Sequence, residues 1–65
     1  MPEEHILQFF SFEHLPAALQ EISRPFAGLA MSLVADLPRN PERTVALRKL
    51  LEAKDAAVRA RLTKD

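Results

Sequence analysis

The strongest constraint on this chain is the stretch Asn40-Pro-Glu-Arg-Thr-Val-Ala-Leu-Arg-Lys-Leu-Leu-Glu-Ala-Lys-Asp-Ala-Ala-Val-Arg-Ala-Arg-Leu62, which reads as a single capped helix. An asparagine side chain accepts a first-turn backbone N–H, and proline at the first helical position needs no donor, so Asn40 and Pro41 mark the start. Glu42 places negative charge at the positive end of the helix dipole, and Arg59, Arg61 and Lys64 place positive charge at the other end. From Thr44 onward there is no Gly or Pro, and strong helix formers dominate. Leu47, Leu51, Val58 and Leu62, flanked by Ala46, Leu50, Ala53, Ala57 and Ala60, form one apolar face whose alanines let a second helix come close. The upstream chain is expected to cover that face.

At 65 residues the chain is at most one domain. Its 9 basic residues balance 9 acidic ones, which argues against general DNA or RNA binding or a membrane-surface role, since those bring a basic excess. No apolar run is long enough to span a bilayer, and the Met-Pro-Glu-Glu-His start lacks the basic residues of a signal peptide, so an intracellular protein is expected. Hydrophobic residues make up 48% of the chain, yet so short a domain buries surface poorly, and without cysteine no disulfide or Cys-based zinc site can staple it. Two helices share one mutual interface, which leaves half of each without a partner. Self-association is the expected remedy.

Met1 to Glu4 reads as a frayed end. In His5-Ile-Leu-Gln-Phe-Phe-Ser-Phe12 the even spacing of Ile6, Phe10 and Phe12 predicts an extended aromatic arm or short strand. The arm either seals an oligomer core or leaves one ring, Phe12, free to stack on a planar ligand. Pro16 suits a first turn, and Leu15, Leu19, Ile22, Phe26, Leu29 and Leu33 then recur at a heptad-like spacing, widened by Ala30, Val34 and Leu37. Pro25 removes a helical hydrogen bond to Glu21, so the helix kinks there or Ser23 caps a new one; the unbroken phase of the seam favours a kink. Gly28 serves either close helix packing or room for a ligand. Leu37-Pro-Arg-Asn-Pro41 is a compact turn between antiparallel neighbours. On the second helix, Arg48 with Glu52 and Asp55 with Arg59 are spaced for solvated ion pairs.

The expected fold is therefore all-α: an antiparallel two-helix hairpin, its first helix kinked at Pro25, with an N-terminal extended aromatic arm, assembling as a homo-oligomer. Residues 1–13 are the arm, 14–37 helix one, 38–40 the turn and 41–63 helix two. No catalytic constellation appears. His5 and His14 are the only histidines, Ser11, Ser23 and Ser32 sit in no glycine-rich elbow, and one glycine cannot build a phosphate loop. Neither a metal nor a cofactor is expected, and an enzyme is not.

Three segments carry a resemblance: Phe10-Ser-Phe-Glu-His-Leu-Pro16, Ser23-Arg-Pro-Phe-Ala-Gly-Leu-Ala30 and Leu37-Pro-Arg-Asn-Pro through Ala60. The chain resembles the small phage helical-hairpin family that includes the anti-CBASS cyclic-nucleotide sponges and the related anti-Thoeris sponges. The likeness runs from about Phe10 to Leu62 and is most specific from Leu37 to Leu51. It implies a protein of the host bacterial cytoplasm that binds cyclic oligonucleotide signals without cleaving them, or cyclic ADP-ribose isomers in the Thoeris branch. It also implies a homo-oligomer, commonly a hexamer, with pockets between protomers. By this resemblance Phe12 and Arg24 occupy the dinucleotide-binding positions for a ligand such as cyclic GMP-AMP, and Arg43 and Thr44 those of a second pocket for cyclic trinucleotides. Tyrosine and lysine are the residues expected at the first pair; Phe12 lacks the hydroxyl, and Arg24 is longer and planar. For Arg24 and Arg43 the alternative is an ordinary surface charge. A structural or protein-interaction oligomer with no small-molecule ligand is the remaining reading.

Overall fold

The computed structural model describes residues 5–63. A short 3-10 helix, η1 (His5–Phe10), precedes two long helices, α1 (Ala17–Asp36) and α2 (Pro41–Leu62), and there is no strand among the described residues. The long helices pack along one another as a hairpin, and η1 lies against both. The whole measures 39 × 21 × 16 Å. A helix with its side chains is about 10–12 Å across, so the two shorter dimensions hold one layer of two long helices with η1 laid against it.

α2 starts as its sequence predicts. The Asn40 side chain accepts the Arg43 backbone N–H at 2.9 Å, Pro41 opens the first turn, and Glu42 is the acid within it. At the far end Arg59 and Arg61 occupy the last turn, and the Thr63 N–H and hydroxyl both return to the Arg59 carbonyl. Lys64, assigned by sequence to this end, lies outside the described residues, as do Met1 to Glu4.

α1 runs unbroken through Pro25, so Ser23 caps no second helix. Pro25 and Glu21 are both exposed, and water can take the carbonyl that the proline ring leaves without a donor. The buried face of α1 is rotated from the predicted seam. Ser23 and Ala30 are fully buried, with Phe26, Ala27, Leu33 and Val34 packed beside the core, whereas Leu29 is 49% exposed. Small side chains at the centre of α1 let Leu47 of α2 sink to zero exposure against it. Leu50 and Leu51 continue that contact, but Leu62 is 65% exposed.

The extended arm is corrected. His5–Phe10 coils as a 3-10 helix that puts Ile6 and Phe10 into the core and Leu7 beside it, and leaves Phe9 outside, where its ring meets His5 edge-on. Gln8 folds back onto His5, as the three-residue period of such a helix allows. The ion pairs differ too: Glu52 pairs with Lys49, and Asp55 with Lys54.

Candidate ligand groove

The segment between η1 and α1 is held by side-chain chemistry that the sequence pattern hides. α1 begins after Pro16 with no side-chain cap. Gln20, from the second turn, reaches back, and its amide donates to the Leu15 carbonyl at 2.8 Å and the Glu13 carbonyl at 3.2 Å. The Leu15 N–H closes a turn onto the Phe12 carbonyl. These bonds fix the direction in which Phe12 and Glu13 project.

Phe12 is half-buried, and the Arg24 guanidinium lies over its ring, 5.5 Å from the centroid. At an exposed position such a contact contributes about 0.5–1 kcal/mol, enough to favour one arginine orientation without locking it. The two residues come from the loop and from α1, twelve positions apart in the chain. The structure thus brings together the pair assigned to a dinucleotide site.

Beside them is a groove of about 260 Å³. Leu7 and Phe10 of η1 and Ala27 and Ala30 of α1 form its apolar floor; Ser11, Phe12, Glu13 and Met31 form its rim. Arg24 stands one helical turn before Ala27, on the same side of α1. On the rim the Ser11 hydroxyl donates to Glu13 Oε1 at 3.1 Å. Glu13's own backbone N–H, then the Ser11 hydroxyl, hold its carboxyl below the usual range, so it is anionic at neutral pH. The arrangement offers a largely apolar groove with a cation over the Phe12 ring and an anion on the residue that follows Phe12. Pockets for drug-sized ligands run from about 300 to 1,000 Å³, so this groove admits one planar ring system but not a cyclic dinucleotide whole.

Arg43 and Thr44 lie elsewhere. Arg43 is only 7% exposed, and its Nη1 donates to the carbonyls of Val34 at 3.2 Å and Leu37 at 3.1 Å. It closes the carboxyl end of α1 from the first turn of α2, which overturns its reading as a solvated charge. Thr44 is exposed, with its hydroxyl toward the Asn40 carbonyl at 3.4 Å. From Arg24 to Val34 is ten helical residues, about 15 Å at 1.5 Å each, so the two assigned pairs are separate places on the hairpin. Any ligand at Arg43 must first draw it off those carbonyls.

Gly28 is exposed, and a β-carbon built there would meet nothing within 4 Å among the described residues, so neither η1 nor α2 approaches it. His14 is exposed, and no group of three His, Asp or Glu side chains converges among the described residues. Nor is any helix there long and apolar enough to cross a membrane. Sequence reasoning missed Ser11, Glu13 and Met31 as rim residues. The Ser-x-Glu spacing was a usable signal for the first two, because a hydroxyl two residues away can orient a carboxylate. Compared with known protein families, curated proteins and solved structures, the chain matches none.

Proposed function

We propose that this protein binds cyclic dinucleotide second messengers in the host bacterial cytoplasm and sequesters them uncleaved, as a phage anti-defence sponge. The observation that carries this reading is the Arg24 guanidinium over the Phe12 ring at the lip of a base-sized apolar groove. A purine stacks on an aromatic face for about 1–3 kcal/mol per base, and a guanidinium grips phosphate through two parallel hydrogen bonds. Both requirements meet at one place here, on residues that the family resemblance also assigns.

The reading includes self-association. Between Pro25 and Ala35 the chain has no charged residue, and α1 there exposes Leu29 and Met31, the latter by 59%. A helix apolar on all sides belongs in a core, and a lone hairpin supplies only half of one. A second copy of the chain would cover this surface and enclose the part of the ligand that the groove cannot hold.

A thermal-shift series with cyclic di-GMP, cyclic GMP-AMP and cyclic di-AMP tests the proposal. A rise in Tm is expected with at least one, with the ligand recovered intact after the complex is heated. Arg24→Ala and Phe12→Ala should each abolish most of the rise. No rise with any member refutes it. The same exposed apolar surface favours one other reading, an oligomeric adaptor with no small ligand; native mass spectrometry of protein from infected cells separates the two, since a sponge carries a nucleotide-sized mass.

A further inference from the structure

We infer that Glu13 makes the groove select guanine over the other bases. This rests on the cyclic-nucleotide reading and extends it to base identity. Glu13 sits on the groove rim, on the loop just beyond Phe12, while Arg24 lies over the ring of Phe12. A phosphate is drawn to the guanidinium and repelled by the carboxylate, so a nucleotide straddling the ring turns its phosphate to Arg24 and its base edge to Glu13.

A carboxylate only accepts hydrogen bonds, and it has room for about four. Ser11 takes one of these places and fixes the group's direction. The base edge that satisfies the rest must present donors side by side. Guanine does, through N1–H and the 2-amino group. Adenine sets its N1 lone pair against the carboxylate, cytosine does the same with N3, and uracil offers one N–H between two carbonyls. A good two-point contact of this kind discriminates by about 1–3 kcal/mol, or roughly 5- to 150-fold in affinity. The groove's size agrees, because a single purine is the largest part of the ligand that it accepts. The depressed titration of Glu13 supplies the charged acceptor throughout the neutral range.

Calorimetric titration with cyclic di-GMP, cyclic di-AMP and cyclic di-IMP tests the inference. The wild-type chain should bind the guanine ligand roughly tenfold or more tightly than the adenine ligand. The inosine ligand, which keeps N1–H and lacks the 2-amino group, should fall between them. Glu13→Gln should bring the guanine-to-adenine ratio to one or below, because the amide loses one of guanine's two donors and can pair with adenine's donor–acceptor edge. Equal affinities in the wild type, or a ratio unchanged in Glu13→Gln, overturn the choice of base and leave sequestration standing. No binding of any of the three, nor of cyclic GMP-AMP, overturns both. Should Glu13→Gln fail to fold by circular dichroism, Ser11→Ala carries the test: it frees the carboxylate to swing, so the ratio should drop severalfold, and an unchanged ratio overturns the inference.

Discussion

Arg43→Met is the most revealing single change in the hairpin. Methionine keeps an unbranched apolar stem of similar length but donates nothing, so the bonds from Nη1 to the Val34 and Leu37 carbonyls are among those it removes. A hydrogen bond from a charged donor contributes about 1.5–3 kcal/mol, so these two together contribute roughly 3–6 kcal/mol before desolvation is counted. Against this, methionine removes the cost of desolvating a guanidinium that is only 7% exposed, a cost that often offsets much of the gain. We therefore place the net loss at about 2 kcal/mol. For a domain this size each kcal/mol moves Tm by about 4–8 °C, so a fall of roughly 8–16 °C is expected. Arg43→Ala also loses two buried methylenes, about 0.8 kcal/mol each, and should fall further. The assay is calorimetry or far-ultraviolet circular dichroism at one fixed protein concentration, because association makes Tm concentration-dependent. A shift under about 3 °C for Arg43→Met, less than the smallest fall from 1 kcal/mol, refutes the clasp. The result also bears on ligand assignment, since lost binding in an Arg43 variant is interpretable only where the fold survives.

Other changes carry opposite signs. Ser23→Ala should raise stability by about 1 kcal/mol, because the buried Ser23 hydroxyl has no hydrogen-bond partner and its desolvation is uncompensated; denaturant unfolding with an unchanged m-value checks this, and a loss of stability contradicts it. Gly28→Ala should add about 0.5–1 kcal/mol by helix propensity in an isolated hairpin, since the new methyl meets nothing. If a second copy packs on that face, the same variant weakens association instead, which light scattering against dilution detects. Glu13 should titrate below the ordinary glutamate range by carboxyl-carbon NMR. Its depressed value means that its contribution to stability is present above the ordinary glutamate pKa and is lost as pH falls through the folded-state value, so Glu13→Gln should flatten the acid limb of stability.

α2 was legible in the sequence because its signals are local: an asparagine cap, a proline in the first turn and cations at the end all act within a few residues. α1 was legible as a helix but not in its orientation. The leucine and isoleucine seam marked the greasiest stripe, yet packing favoured Ser23 and Ala30, whose small size permits approach, and left Leu29 outside. Hydrophobicity alone cannot anticipate that, because the preference comes from the partner's shape. The first segment misled for a related reason. Phenylalanine favours strands, but a six-residue piece pinned between two helices follows the surface it lies on, and there Ile6 and Phe10 are buried while Phe9 is left outside. At the candidate site, the joining of Phe12 with Arg24 came from the family resemblance and not from spacing. Glu13 took no part in the reading of the sequence, because only the folded loop sets it on the rim. Arg43 was misjudged as solvated because the carbonyls it meets belong to the end of the preceding helix.

The same arginine has a bearing on how fast the molecule forms. Its bonds to the Val34 and Leu37 carbonyls join positions only nine and six residues apart, so the hairpin bend is a local event that needs little loop closure. Chains dominated by such short-range contacts fold in microseconds to milliseconds. η1 must instead settle across both long helices, and its arrival should be the last step, leaving the groove unformed until the remainder of the chain is already in place.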